Sequence, residues 1–178
     1  PGFFHLLHCK RVLMLQGPMG AFFNRVAEWL AEYDVEVRKI NFNAGDWFFH
    51  RRLNATQYRG TFDEFPDFLT DFMAEHGIDG IVCFGDCRHY HRAAARVAAL
   101  AGVSFFAFEE GYVRPDYITL ERGGVNVNSL LPRSTEFYRA LPEIDVPKTV
   151  PAHPRFGRAA WSGMMYYAVG RLMGAQFP

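Results

Sequence analysis

Cysteine, net charge and long apolar runs are all scarce in this 178-residue sequence, and each scarcity excludes a class of protein. Cys9, Cys83 and Cys87 are too few, and odd in number, for a disulfide scaffold, so they favour a reducing compartment. The 19 basic and 19 acidic side chains cancel, so no overall positive field draws the protein to nucleic acid. Residues 1–11 lack the charged start and long apolar run of a secretory signal. We therefore expect a cytoplasmic protein that binds no nucleic acid.

Apolar and aromatic residues are abundant instead. Hydrophobic residues make up 49% of the sequence, and 18 residues are Phe. This composition is typical of one packed globular domain and excludes an intrinsically disordered chain. Because Phe is more abundant than one small core requires, we expect part of the aromatic surface to face a second domain, a ligand or a lipid.

Short apolar runs alternate with helical patterns along most of the sequence. They predict strands at residues 11–16, 35–42, 81–84 and 103–108, and helices at residues 22–33, 65–73 and 93–100. Gly77 and Gly102 are predicted to end the last two helices, and the pair Thr61 and Glu64 has the spacing of a capping box. The alternation indicates an α/β fold, with a Rossmann-like parallel sheet flanked by helices over residues 1–131.

Two further segments follow the predicted Rossmann-like domain. Residues 132–157 are rich in proline and have the composition of a linker. Residues 158–178 predict an amphipathic helix that leads to a C-terminal domain beyond this sequence. The apolar stretch of this helix is too short to cross a bilayer. We expect it to pack against that further domain or, alternatively, to dock on a membrane surface.

Polar residues are concentrated in the segments that follow the four predicted strands. In an open parallel sheet, ligands bind beyond the carboxyl ends of the strands, so these segments should form one crevice. The predicted substrate contacts are Gln16, Gly17, Gly20, Asn43, Asp46, Arg88, His91, Arg114, Glu121 and Asn126. Residues 16–20 match neither a Walker loop nor a dinucleotide fingerprint, and they predict either a tight turn or an anion site at a helix N-terminus. Asp46 and Trp47 have an ordinary turn as their alternative.

Three carboxylates in the predicted crevice are candidates for catalysis. The adjacent pair Glu109 and Glu110, at the end of a buried strand, is costly unless a cation or a reaction needs it. Because neighbours on an extended chain point to opposite sides, one of the pair can face the crevice. A purely structural ion pair is the alternative. Asp86 is either a base or a holder of a sugar hydroxyl, or else the N-cap of the following helix.

Metal-binding residue types cluster near the third predicted strand, but their spacing is not that of a metal site. Cys83, Cys87, His89 and His91 match no zinc pattern, and Cys83 lies in a predicted buried strand, where a free thiol behaves as a small apolar group. We therefore predict no metal. A metal-dependent hydrolase remains an alternative, and it would use Asp86, His89, His91 and Glu110.

Four long stretches carry a family resemblance. They are LQGPMGAFF (residues 15–23), INFNAGDWFF (40–49), FGDCRHYHRAA (84–94) and FEEGYVRPDYITLERGGVN (108–126). In this order they resemble the bacterial capsule polysaccharide biosynthesis and export family, in particular its shorter KpsS-type members. These proteins are about twice as long and similar to two-domain GT-B glycosyltransferases. The resemblance implies that the sequence is the N-terminal half of such an enzyme.

The resemblance implies a specific reaction and setting. Family members are β-Kdo glycosyltransferases that move Kdo from CMP-Kdo to a phosphatidylglycerol-based lipid acceptor and so build the linker of capsular polysaccharide. The implied partners are this nucleotide-sugar donor, the lipid acceptor and a capsule synthesis and export complex. No cofactor is implied beyond the donor substrate, and the implied location is the cytoplasmic face of the inner membrane, peripherally bound.

Site roles also follow from the resemblance. Longer relatives carry the motif Glu-Asp-Gly-aromatic-x-Arg, which residues 109–114 resemble, with Glu110 at the Asp position. Glu110 is therefore the candidate nucleophile of a retaining transfer, and Glu109 or Asp86 the candidate base. Arg114 is a candidate ligand for the Kdo carboxylate. The alternative is a non-catalytic module that binds the glycolipid and couples synthesis to export.

Overall fold

A computed structural model describes residues 2–50, 54–112, 117–143 and 156–174. The elements of these residues, in chain order, are α1 (Gly2–Leu7), β1 (Arg11–Met14), α2 (Phe22–Ala31), β2 (Glu36–Asn41), α3 (Ala44–His50), β3 (Asn54–Gln57), α4 (Phe65–His76), β4 (Gly80–Phe84), α5 (His89–Ala101), β5 (Ser104–Glu110), β6 (Ile118–Arg122), a 3₁₀ turn (Asn126–Asn128), α6 (Thr135–Arg139) and α7 (Phe156–Met173). Strands and helices alternate as far as β5, which is the pattern of a sheet built from crossover connections.

The strands form one six-stranded sheet in the order β3-β2-β1-β4-β5-β6. The first five are parallel, and β6 runs antiparallel to β5, with Ile118 opposite Glu110. The predicted Rossmann-like α/β fold with a largely parallel sheet is confirmed. The direction of winding reverses between β1 and β4, so the carboxyl ends of these two strands flank the point where such folds bind ligands.

Two apolar cores cover the two faces of the sheet. Helices α4 and α5 pack on one face, and α1 and α2 pack on the other. The second core is rich in aromatic rings, with Phe22 contacting Phe84 and Phe108 at ring-centroid distances of 5.8 and 5.2 Å. A surface groove of about 430 Å³ remains open beside it, lined by Phe3, Phe22, Arg25, Val26, Trp29, Phe108 and Ile118. The Phe surplus therefore serves partly as core and partly as exposed apolar surface.

Three elements near the predicted crevice were not expected from the sequence. Strand β3 is short and polar, and the sequence of β6 was not recognised as a strand. The segment after the second predicted strand was expected as a loop or turn through Trp47, which is wrong from Ala44 onward, because α3 begins there and contains Asp46 and Trp47. Helix α5 likewise begins at His89, four residues before its predicted start, so His91 is helical too.

The predicted helix ends are only partly correct. Gly77 and Gly102 adopt left-handed conformations, with φ of 59° and 69°, and end α4 and α5 as expected. The capping box is wrong in part, because Glu64 itself stands at the N-cap of α4 and no side chain caps the helix. Its carboxylate instead accepts hydrogen bonds from the backbone N–H and the hydroxyl of Thr61, at 2.7 and 2.8 Å.

Gly111 follows the last residue of β5 and contacts the residue before β6. Its N–H donates to the Tyr117 carbonyl at 2.7 Å, and a Cβ at residue 111 would overlap that same carbonyl. We expect Gly111→Ala to lower the free energy of unfolding by about 2 kcal/mol, since a backbone clash cannot relax without moving the strand pair. Gly170→Ala is the control, because a Cβ there meets nothing within 4 Å. Equal midpoints of urea unfolding for both variants would contradict this role.

Candidate functional site

The turn after β1 forms one wall of the crevice. A Cβ on Gly17 would lie 2.6 Å from the Phe23 ring, and Gly20 has a φ of 121°, which L side chains rarely adopt. Both glycines are thus needed for the tight connection into α2. The helix begins without a side-chain cap. The alternative of an anion site at this helix N-terminus stays a prediction.

Asp86 lies in the turn after β4 and anchors a distant segment. Its Oδ2 accepts hydrogen bonds from the Val125 backbone N–H at 2.8 Å and from Asn128 Nδ2 at 3.0 Å. Its Oδ1 accepts one from the Cys87 thiol at 3.3 Å. The N-cap of α5 is Arg88, which caps with no side chain, so the N-cap prediction for Asp86 is wrong.

These bonds also set the protonation of the carboxyl group. Burial alone would raise the pKa of Asp86, but the hydrogen bonds from Val125, Asn128 and Cys87 together hold it below its usual value. Asp86 is therefore a carboxylate at neutral pH, with both oxygens engaged. This favours a positioning role over that of a proton acceptor.

The segment that Asp86 anchors carries Asn126 to Glu109. Asn126 Nδ2 donates to Glu109 Oε2 at 3.2 Å, and the backbone N–H of Glu110 donates to Glu109 Oε1 at 3.0 Å. Glu109 is half-buried, and a Cβ on Gly85 would lie 3.9 Å from its Oε2. Glu109 therefore faces the Asp86 turn.

Glu110 is exposed at the end of β5. Both glutamates were expected directly after a buried strand predicted to end at residue 108, and the strand continues two residues further. Pairing with β6 extends β5 through Glu110. Of the two glutamates, Glu110 is the more exposed and Glu109 is half-buried.

A second link joins the same segment to β6. The Tyr112 hydroxyl donates to Glu121 Oε1 at 2.7 Å and accepts from the Asn126 N–H at 3.0 Å. The Ser129 hydroxyl donates to Glu121 Oε2. Two predicted site residues, Glu121 and Asn126, are thus brought together with Glu109. Arg114 lies outside the described residues.

Three other predicted residues converge on a residue that the sequence did not single out. Gln16 Nε2 and Asn43 Nδ2 donate to the Tyr166 hydroxyl at 3.0 and 2.7 Å, and that hydroxyl donates to Asp46 Oδ1 at 3.3 Å. Burial and the nearby Asp46 charge raise the pKa of Tyr166 to about 12, so the phenol keeps its proton. The crevice thus contains a second cluster, formed by β1, α3 and α7.

Helix α7 contacts the rest of the described chain through Tyr166, a residue that was not singled out from the sequence. The helix spans Phe156–Met173 and contacts α3, with a Cβ on Gly45 falling 2.6 Å from the Tyr166 ring. Trp161, Met164 and Leu172, three apolar residues of this helix, are exposed. The packing of this helix against a further domain or on a membrane surface stays a prediction, and the contact with α3 involves Tyr166.

Two buried basic residues, Lys39 and His50, lie near this second cluster. Lys39 is fully buried, and its Nζ donates to the Ile40 carbonyl at 2.9 Å. Burial lowers the pKa of Lys39 to about 8, although the Asp46 charge opposes this. Burial and the Lys39 charge lower the pKa of His50 to about 3. The sequence missed both, because each occupies a position that also suits an exposed polar residue.

His91 has a structural role and is not exposed to a ligand. It is fully buried, and its Nδ1–H donates to the Gly85 carbonyl at 2.6 Å. Burial lowers the pKa of His91 to about 4, although the bond to Gly85 opposes this. The neutral imidazole therefore fixes the turn before Asp86. Arg88 and His89 are exposed at the start of the same helix.

The part of the chain that the structure describes contains no cluster of metal-binding side chains of the kind that the metal-dependent alternative requires. Within residues 2–50, 54–112, 117–143 and 156–174, no three His, Cys, Asp or Glu side chains are grouped so that they could hold a metal ion. In the same ranges no helix combines the length and apolar character needed to cross a bilayer.

Removing the Asp86 carboxylate should release the segment that it anchors. Asp86→Ala leaves the buried Val125 N–H without its acceptor, so we expect the free energy of unfolding to fall by about 2 kcal/mol. Asp86→Asn keeps an oxygen for this bond and should lose less. Hydrogen exchange at Val125 measures the change, and an equally slow exchange in Asp86→Ala and wild type would contradict the anchor role.

Comparison with known proteins gives one family and several related proteins. Residues 79–178 match the family described as "Capsule polysaccharide biosynthesis protein". The chain is 45% identical over 177 residues to the Escherichia coli capsule polysaccharide export protein KpsS, covering 97% of this chain and 44% of that protein. It is 42% identical over 164 residues to the capsule polysaccharide modification protein LipB of Neisseria meningitidis serogroup A, covering 89% of this chain and 39% of that protein.

The serogroup B LipB protein matches with the same identity and coverage. The chain therefore spans less than half the length of these curated relatives. The family match covers the Asp86 turn, β5, β6 and α7, and thus most of the candidate site. The resemblance drawn from the four sequence stretches is confirmed, and the chain belongs to the capsule polysaccharide biosynthesis protein family.

Proposed function

We propose that the full-length protein containing this chain is a β-Kdo glycosyltransferase of capsule biosynthesis. It transfers Kdo from CMP-Kdo to a phosphatidylglycerol-based lipid acceptor. The observation that carries the proposal is the carboxylate arrangement at the sheet edge. Glu109 and Glu110 end β5, and the segment anchored by Asp86 contacts Glu109 through Asn126.

The proposed chemistry uses two displacements at the anomeric carbon of Kdo. The Glu110 carboxylate attacks this carbon while its bond to the CMP phosphate oxygen breaks, and CMP leaves with the electron pair. The acceptor hydroxyl then attacks the same carbon, loses its proton to Glu109, and releases Glu110 as a carboxylate. Two inversions give net retention of configuration. Asp86 and Glu109 both have each carboxylate oxygen in a hydrogen bond, so Glu109 is assigned as the base because it ends the same strand as Glu110.

The remaining parts of the site would hold the substrates. In this proposal Gln16, Gly17, Gly20, Asn43 and Asp46 line the sugar side of the crevice, and Arg114 binds the Kdo carboxylate. Arg88 is exposed beside the Asp86 turn and could pair with a phosphate of the donor. The cytidine group would be held by the half of the enzyme outside this chain.

The proposal also places the protein in a pathway. The enzyme would act at the cytoplasmic face of the inner membrane, bound peripherally, beside the proteins that synthesise and export capsule. The names of its relatives refer to capsule export and capsule modification, and both agree with such a location. No cofactor other than the donor substrate is invoked.

Transfer by the purified full-length protein tests this function. The protein is incubated with CMP-Kdo and a fluorescent phosphatidylglycerol analogue, and the product is followed by chromatography and mass spectrometry. CMP-sialic acid serves as the control donor, because it carries the same nucleotide on a different sugar acid. We expect a Kdo-lipid product only from CMP-Kdo. Binding of the lipid analogue without any transfer would instead support the non-catalytic glycolipid-binding module.

A further inference from the structure

The Tyr166 hydroxyl occupies a position that α3 defines by itself. Asn43 Oδ1 accepts a hydrogen bond from the Asp46 backbone N–H at 2.9 Å, and Asp46 Oδ2 accepts one from the Phe42 N–H at 3.2 Å. These two bonds cap the N-terminus of α3 and fix both side chains. The atoms left over, Asn43 Nδ2 and Asp46 Oδ1, are those that contact Tyr166.

Gln16 completes this group from the end of β1. Its Nε2 and Asn43 Nδ2 are two donors, and Asp46 Oδ1 is one acceptor, around a single oxygen atom. A hydroxyl group has one proton and two lone pairs, so these three partners satisfy one hydroxyl completely. Because the cap holds two of them in place, the arrangement does not require Tyr166.

The contact of α7 with this group depends on one glycine. A Cβ at residue 45 would lie 2.6 Å from the Tyr166 ring, which stacks against Phe49 with centroids 6.5 Å apart. Apolar side chains elsewhere on α7 are exposed, among them Trp161, Met164, Tyr167 and Leu172. Tyr166 therefore contributes both its ring and its hydroxyl to the contact of α7 with α3, while Ser162 lies beside the turn at Gly20.

We propose that Gln16, Asn43 and Asp46 form a subsite for one hydroxyl of the carbohydrate substrate, and that the Tyr166 hydroxyl fills this subsite in the substrate-free protein. The inference rests on the proposed sugar-transfer function. On binding, Tyr166 withdraws and a substrate hydroxyl takes over its three hydrogen bonds. Since only the open form binds, the observed affinity is the intrinsic affinity reduced by the fraction of open protein.

Two variants open the subsite by different means. Tyr166→Phe keeps the ring and removes the competing hydroxyl, whereas Gly45→Ala displaces the ring with a methyl group in a helix that tolerates Ala. We expect both full-length variants to bind CMP-Kdo about fivefold more tightly than wild type, the equivalent of about one net hydrogen bond. Tyr167→Phe, at an exposed neighbouring position, is the control and should bind as wild type does.

Isothermal titration with CMP-Kdo measures these affinities, and thermal denaturation verifies that each variant is folded. Affinities equal to wild type in Tyr166→Phe and Gly45→Ala would overturn the subsite and leave Tyr166 as a structural contact. Weaker binding by Tyr166→Phe would overturn it too, because the phenol would then contact the ligand.

The hydroxyl subsite can also be tested separately from the assignment of CMP-Kdo as the donor. If no form of the protein binds CMP-Kdo, the donor assignment is wrong, and thermal-shift titrations with free galactose and glycerol test the subsite instead. A shift that is larger in Tyr166→Phe and Gly45→Ala than in wild type supports the hydroxyl subsite. The absence of such a gain with all three probes overturns it.

Discussion

Replacing Glu110 by Gln in the full-length protein is expected to lower the rate of Kdo transfer by on the order of 10³-fold or more. The amide has nearly the shape of the carboxylate but cannot form the bond to the anomeric carbon. Glu110 is exposed at the end of β5, so the substitution buries no new polar group and should leave the fold intact. Initial rates with CMP-Kdo and the fluorescent lipid analogue measure the effect.

Two matched variants separate this role from a general loss of charge. Glu109→Gln removes the proposed base and should slow transfer by about 10²-fold, within the usual contribution of general base catalysis. Glu75→Gln changes an exposed carboxylate on α4 and should leave the rate unchanged. A Glu110→Gln enzyme that retains the wild-type rate would show that Glu110 is not the nucleophile.

Acid is expected to destabilise the protein through its buried histidines. The pKa of His91 is about 4 in the folded chain against an ordinary value of 6.5. Below pH 6.5 the unfolded chain therefore binds a proton that the folded chain does not, so stability is full above pH 6.5 and falls toward pH 4. The loss from His91 alone is about 3 kcal/mol at pH 4. His50, with a pKa of about 3, adds to it in the same direction.

His91→Asn isolates this contribution. The Asn amide can still donate to the Gly85 carbonyl but does not titrate, so the free-energy difference between wild type and variant should shift by about 3 kcal/mol from pH 7 to pH 4. His89→Asn, at an exposed position in the first turn of the same helix, is the control and should leave the pH dependence as in wild type. Parallel pH profiles for wild type and His91→Asn, from urea unfolding, would contradict the buried neutral state.

The fold could be predicted because its strands are strongly apolar. Buried runs such as residues 81–84 and glycine ends such as Gly77 carry their own physical signal. Strand β3 could not be recognised, because its polar Asn54–Gln57 sequence is paired only through β2. The extension of β5 through Glu110 also depends on a partner strand, β6, and not on local propensity.

The candidate site was predictable to the extent that it follows strand ends. Asp86 and Glu109 lie at the same edge as expected, since the parallel strands β4 and β5 bring their carboxyl ends together. Asn126 follows the antiparallel strand β6, and it contacts Glu109 in a segment held by the bond between Asp86 and Val125. The contact of Tyr166 with Asn43 spans 123 residues, and no local pattern encodes such a pairing. Lys39 was missed for a different reason, because its burial depends on packing around the whole sheet.

Locating a covalent intermediate tests the central claim most directly. The full-length protein is incubated with CMP-Kdo without acceptor, using Glu109→Gln to slow the second displacement, and is then digested and mapped by mass spectrometry. The account predicts a Kdo adduct on the peptide that contains Glu110, which is discharged when the lipid acceptor is added. Transfer without any adduct, or an adduct on a residue outside β5, would contradict it.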